Sequence, residues 1–157
     1  AGIDCLGHVY FITAQQVERV KREDRWVVYT PSYALNDELL FKFSPHDKEG
    51  SLREKEIICR CLSGAIEGEL KFGIGTDGLH AGLAQEACYI AGLGAKNRDV
   101  LAGITINAAR LCGVDESTGS IAEGKAADLV VLEKDPLENV EALKGVQSVI
   151  QDGVVIR

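Results

Sequence analysis

Three short apolar runs, at residues 3–9, 26–30 and 72–74, alternate with stretches of helical spacing, and no two-residue hairpin signal lies between them. That order leaves little choice of sheet. Strands joined by crossover helices lie parallel, and a parallel sheet buries both of its faces. The second run, Trp26-Val-Val-Tyr-Thr30, is apolar on both sides as such a strand requires, and Pro31 ends it. The first crossover helix opens at Thr13, where Thr13 and Gln16 have capping-box spacing and Ile12 can staple to Val17 across the cap. A second helix is expected from Ser51, paired with Glu54 in another capping box, with Ile57, Ile58, Cys61, Leu62, Ala65 and Ile66 on one face. Residues 32–50 then read as a long connection of the kind that forms a mobile lid.

The third run enters a glycine-rich turn, Gly73-Ile-Gly75-Thr-Asp77-Gly78-Leu-His80. Its glycines match the dinucleotide fingerprint, whose backbone N–H groups cradle a pyrophosphate. Asp77 argues against that reading, because a carboxylate inside the turn repels phosphate. No strand ending in Asp or Glu follows about 20 residues later, and Arg98 and Asp99 fall in a helical pattern instead. The better reading is a β/α strand whose C-terminal end carries a functional acid, since chemistry in such folds gathers at several strand ends. The plain alternative is a carboxylate capping the next helix or tying the turn, and taken alone Asp77 favours it; its neighbours shift the balance.

After His80 the pattern turns helical through Ala91, and a single helix is expected from a cap at Asn97 to Cys112. Val100, Leu101, Ile104, Ala108 and Leu111 form its inward side, and Gly113 is its stop. From about Glu116 the character changes. Residues 118–125 are turn-rich, residues 128–132 read as a strand, and Asp152-Gly153 joins two further β runs as a hairpin. The expected organisation is therefore an α/β part, residues 1–115, followed by a small β segment, residues 116–157.

Bulk properties narrow the function. With a net charge of −7 and no basic cluster, the chain has no electrostatic reason to bind nucleic acid. Its apolar runs fall far short of the roughly 20 residues that span a membrane, so no membrane role is expected. Five cysteines without CxxC spacing read as reduced thiols, and the expected location is the cytoplasm. The chain opens at Ala1 without a methionine, in what reads as mid-domain. A missing N-terminal portion is the expectation drawn from that.

His8 ends the first strand as Asp77 ends the third, and strands about 4.8 Å apart put two such Cα atoms roughly 10 Å from each other. An imidazole and a carboxylate converging from strands of matching direction favour a metal site.

The chain also resembles the C-terminal part of the amidohydrolase superfamily, close to the imidazolonepropionase and prolidase-like group. The residues that carry the likeness are Gly7-His8, Gly75-Thr76-Asp77 and Thr105-Ile-Asn-Ala-Ala-Arg-Leu-Cys-Gly113. The most specific is Gly119-Ser-Ile-Ala-Glu-Gly-Lys-Ala-Ala-Asp-Leu-Val-Val-Leu132, followed by Asp135-Pro136-Leu137 and Asp152-Gly153. The resemblance implies the last three strands of a metal-dependent (β/α)8 (TIM) barrel over residues 1–115 and part of a small β-sandwich over residues 116–157. It implies one or two divalent ions, usually zinc, and water-driven cleavage of a C–N bond in a cyclic amide, dipeptide or amino-heterocycle. On that mapping His8 is a metal ligand, and Asp77 contacts metal and accepts the proton of the attacking water. His80 orients the small-molecule substrate or is a solvated loop residue; His46 is expected to be only the latter. The family's other histidine and carboxylate or lysine ligands have no counterpart here. The expected partners are accordingly further copies of the chain, as a homo-oligomer, or a missing N-terminal half. The alternative is a non-catalytic scaffold that keeps the barrel half for assembly.

Overall fold

A computed structural model describes residues 2–43, 48–77 and 82–157. His46 and His80 lie outside these residues. Strands β1 (Cys5–Gly7), β2 (Trp26–Tyr29) and β3 (Lys71–Ile74) form a parallel sheet in the order β1-β2-β3. The register aligns Gly7 with Val28 and Val28 with Gly73, so the C-terminal ends of all three strands leave on one side.

The first crossover helix, α1 (Ala14–Arg22), starts as its sequence predicts. The Thr13 side chain accepts from the Gln16 N–H, and the Gln16 side chain accepts from the Thr13 N–H. Ile12 and Val17 are both buried in the main core, with Val20 one turn on. The second crossover departs from expectation. The described residues of the stretch 32–50 are not an open loop: α2 (Ser32–Leu35) and α3 (Asp37–Phe43) occupy most of it, α4 (Lys48–Glu67) begins before Ser51, and residues 44–47 lie outside the described residues. Pro31 stands at the start of α2 with a helical backbone, and Asn36 Oδ1 accepts from the Glu38 and Leu39 N–H groups to start α3. Ser51 is buried inside the first turns of α4 rather than capping it. Lys55 on α4 ties the segment down, donating to the Leu35 carbonyl at 3.3 Å and to Asp37 at 2.5 Å.

Helix α5 (Leu83–Gly92) follows β3. The expected single helix over 97–112 is two, α6 (Asn97–Ile104) and α7 (Ile106–Cys112). The break is at Thr105, whose hydroxyl bonds back to the Leu101 carbonyl at 2.6 Å, a local competitor of the helical ladder. Asn97 is the first helical residue rather than the cap, and its side chain donates to the Leu137 carbonyl. Gly113 ends α7 as expected, with φ +69°.

The break lets both helices press on β3. A Cβ on Gly73 would lie 2.5 Å from Leu111, and one on Gly103 would lie 2.8 Å from the Phe72 ring. The first glycine of the fingerprint pattern is therefore used for helix packing. The core beneath contains Val27, Tyr29, Leu62, Ala65, Ile90 and Val100, all fully or almost fully buried.

The last part forms an antiparallel sheet, β4 (Leu129–Leu132), β5 (Val146–Gln151) and β6 (Val154–Val155). Asp152 and Gly153 both take positive φ, the conformation a two-residue hairpin turn of this kind demands. Among the described residues the two sheets do not close into a barrel. The β segment nonetheless shares the core, because Val140, in a 3₁₀ helix at Val140–Lys144, is buried with it.

The turn before β4 is held from within. Lys125 Nζ donates to the carbonyls of Asp115 and Thr118 and to Ser120 Oγ. Gly119 lies against α7 with φ +83°, where an added Cβ would sit 2.5 Å from the Ala109 Cβ. Gly119→Ala combines an unfavourable backbone conformation with a collision against a helix. It is expected to cost on the order of 2 kcal/mol, read as a lowered urea midpoint. An unchanged midpoint would show that the turn is not seated on α7.

Candidate metal and hydrolytic site

His8 and Asp77 follow the C-terminal ends of β1 and β3, one on each side of β2. The ladder carries on past each strand: the His8 N–H donates to the Val28 carbonyl and the Gly75 N–H to the Tyr29 carbonyl, both at 2.9 Å. The chain then turns sharply. His8, Val9 and Asp77 have φ of +65°, +49° and +47°. For a β-branched residue such as Val9 this is a true outlier, of the kind that clusters at functional sites. Both side chains at the strand ends, His8 and Asp77, are exposed.

Thr30, one residue beyond β2, lies between them in the sheet order and is buried. Its Oγ1 is 2.7 Å from His8 Nδ1, and the Tyr10 hydroxyl donates to its carbonyl at 2.6 Å. The His8 and Tyr10 rings are tilted against each other with centroids 5.6 Å apart. Burial raises the Tyr10 pKa, and the charges of Asp77 and Glu86 push the same way, so its phenol stays a donor.

Behind the strand ends lies Glu86 of α5, with no exposed surface. Its Oε2 accepts from the Ser32 N–H at 2.9 Å, tying α5 to the start of α2. Its Oε1 has no hydrogen-bond partner among the described residues. Desolvation raises its pKa, the Ser32 hydrogen bonds lower it, and the Asp77 charge raises it further.

Two of the three residues expected at the site are thus placed on the same end of one sheet; His80 falls outside the described residues. Sequence reasoning did not pick out Thr30, Tyr10 or Glu86. For Thr30 the signal was available: a polar residue ending the middle of three parallel strands must neighbour whatever ends the outer two.

The donor chemistry suits a divalent ion. Imidazole nitrogen and carboxylate oxygen are ligands of zinc, and an imidazole held through Nδ1 keeps Nε2 for an ion. The number of donors is short. Among the described residues no group of three His, Cys, Asp or Glu side chains converges, whereas a catalytic zinc keeps three protein ligands and a water.

The profile of the amidohydrolase family matches residues 49–156, from α4 through the last strand. The chain belongs to the amidohydrolase family. No curated protein sequence matches it significantly. Among solved structures it is similar to a Xaa-Pro dipeptidase with methionine bound in the active site, at 24% identity and a TM-score of 0.85, covering 99% of this chain and 40% of that one. It is similar also to the ochratoxinase of A. niger, at 24% identity and a TM-score of 0.81, covering 99% of this chain and 37% of that one. Molinate hydrolase gives 16% identity and a TM-score of 0.78, with 98% and 38% covered. At these identities the likeness establishes the fold. This amidohydrolase chain spans about 40% of the length of the first of these relatives.

Glu86 gives the site a pH signature. A carboxyl group whose folded pKa lies above its unfolded value contributes stability that is full below the unfolded value and is lost as pH rises through the folded one. Stability should therefore fall from acidic pH towards neutrality by the share Glu86 carries. Glu86→Gln keeps an acceptor for Ser32 and removes the ionisation. It should flatten that slope while leaving the acid-side stability close to the parent's. Urea titrations across this pH range would decide, and an identical slope in both proteins would refute the assignment.

Proposed function

We propose that this chain is the C-terminal portion of a metal-dependent (β/α)8-barrel hydrolase that uses water to cleave C–N bonds of a small cyclic amide, dipeptide or amino-heterocycle. The observation that carries the reading is the shared exit of His8 and Asp77 from one end of a parallel sheet, flanking β2. Chemistry in barrels of this kind sits at that end of the strands. Membership of the amidohydrolase family and the dipeptidase and hydrolase relatives support the reaction class. Residues 1–115 are assigned to the last three barrel strands with their helices, and residues 116–157 to a β-sandwich segment.

His8 and Asp77 would hold the ion, for which zinc is the proposal. When bound, zinc supplies a water acidified towards neutral pH and polarises the scissile carbonyl or amidine. Asp77 accepts the proton of the attacking water on a carboxylate oxygen and returns it to the leaving nitrogen. His8 takes no part in that transfer, because a ring nitrogen that binds metal has no lone pair left for a proton. His80, three residues beyond Asp77, is assigned to orienting the substrate. Among the described residues no third donor joins them, and further ligands would come from a missing N-terminal half or a second copy. The free thiols support a reducing, cytoplasmic location.

The two roles separate by mutation in the assembled enzyme. Asp77→Asn keeps a ligand oxygen and loses the base, so kcat should fall roughly 10²–10⁴-fold with most of the zinc retained. His8→Ala should lose zinc itself, with activity partly restored by excess zinc. Metal content by mass spectrometry beside steady-state kinetics reads both. An active Asp77→Asn, or a His8→Ala that binds zinc like the parent, would refute the assignment. A complete protein that binds no zinc and hydrolyses nothing would be a scaffold.

The sheet edge makes a separate prediction. Among the described residues β1 pairs with β2 alone, and beside it runs a cleft of about 550 Å³ lined in part by Ile3, Leu6, Val9, Phe11 and Val20. An unpaired edge over an apolar cleft seeks cover. The purified chain should associate in light scattering or bind a hydrophobic dye. A stable monomer that binds no dye would count against the missing partner.

A further inference from the structure

The hydrogen bonds around Thr30 decide which nitrogen of His8 carries the proton. A carbonyl oxygen only accepts, so at 2.6 Å the Tyr10 hydroxyl proton must lie on the line to the Thr30 carbonyl. The Tyr10 oxygen then faces Thr30 Oγ1, 3.3 Å away, as an acceptor. Thr30 has a single hydroxyl proton and two candidate recipients, Tyr10 Oη and His8 Nδ1. If it goes to His8, two lone-pair-bearing oxygens are left facing each other beside a buried side chain, and two hydrogen bonds are made. If it goes to Tyr10, Thr30 Oγ1 is free to accept from His8 Nδ1–H at 2.7 Å, and three are made. Near a buried hydroxyl the arrangement that satisfies more groups wins.

We infer that Tyr10 and Thr30 are positioning residues that hold His8 as its Nδ1–H tautomer and so reserve the Nε2 lone pair for an electrophile. The proton chain runs His8 Nδ1–H to Thr30 Oγ1–H to Tyr10 Oη–H and ends on the Thr30 carbonyl, which cannot pass the direction back. The inference rests on the reading of His8 as a ligand, because it says how that ligand is prepared before any ion arrives. Every group in the chain of bonds belongs to the turn after β1 or to the residue that follows β2, so the tautomer is set by this chain's own residues.

The test is two-bond ¹H–¹⁵N correlation on the ¹⁵N-histidine-labelled chain, at a pH alkaline enough for neutral rings. With three histidines in the sequence, His8 is assigned by its loss in His8→Ala. The expected result is a protonated Nδ1 and a bare Nε2 for His8 in the parent. Tyr10→Phe removes the acceptor for the Thr30 proton, so that proton turns to Nδ1 and the His8 population moves towards Nε2–H. Thr30→Ser restores the same hydroxyl and should keep the parental tautomer, which a merely structural role of the threonine methyl would not do. An Nε2–H ring in the parent, or a tautomer indifferent to Tyr10→Phe, overturns the inference. If His8→Ala still costs the enzyme its zinc while the parent ring is Nε2–H, the tautomer argument falls and the ligand reading stands. If the parent ring is Nδ1–H and His8→Ala keeps its zinc, the reverse holds.

Discussion

Strand β2 is the fixed point of the molecule. It is four residues long, yet it hydrogen-bonds β1 on one edge and β3 on the other, in register along both. Because both pairings are parallel, each connection must cross back over the sheet, and that places α1 and α4 against it. Its own side chains serve this position. Val27 and Tyr29 are fully buried, and the Tyr29 ring meets the Phe72 ring of β3 at 5.3 Å. The same pairings bring the ends of β1 and β3 to one side, and the candidate site follows from that alone.

Packing on β3 joins the two parts of the chain. Gly73 and Gly103 let α6 and α7 lie closer to the strand than any side chain would permit. Asn107 of α7 donates to the Phe72 carbonyl, so the helix also supplies a polar partner to the strand. On the far side of α7, Gly119 seats the turn that leads to β4, and Val140 returns to the shared core. The glycine-rich and lysine-bearing motif after residue 118 is thereby explained as a docking device: its Lys125 satisfies carbonyls that the turn would otherwise leave open.

What could be read from the sequence, and what could not, follows the range of the interactions. The capping box at Thr13, the αL stop at Gly113 and the Asp152-Gly153 turn were legible because each is decided within a few residues. The parallel order was legible because the absence of hairpins excludes its alternatives. The helices within residues 32–43 were not legible because Pro31 and Asn36 start short helices that are held by distant groups, Glu86 and Lys55. The break at Thr105 goes with a hydroxyl that bonds back to the Leu101 carbonyl, which hydrophobic periodicity does not register. His8 and Asp77 could be placed at one end of the sheet because strand ends can be counted. Tyr10 and Glu86 act through contacts across 20 and 54 positions of chain, which local pattern does not record.

The strand ends also show how local structure shapes the candidate site. Left-handed backbone at His8 and Val9 is costly, about 1–3 kcal/mol where the residue is branched, and it persists only if the surroundings fix it. They do so here. The His8 N–H is held by Val28, the Val9 N–H by the Gly7 carbonyl, and the Ile12 N–H by the Val9 carbonyl, with Ile12 anchored in the core. Tyr10, one residue beyond the strain, reaches back to Thr30 and closes the turn on β2. On the β3 side Asp77 is exposed while Glu86 is buried behind it, and that burial raises the Glu86 pKa. A strained turn pinned to the core, and an exposed acid backed by a buried one, are local properties. They need no third ligand to exist, and they would stand ready for one.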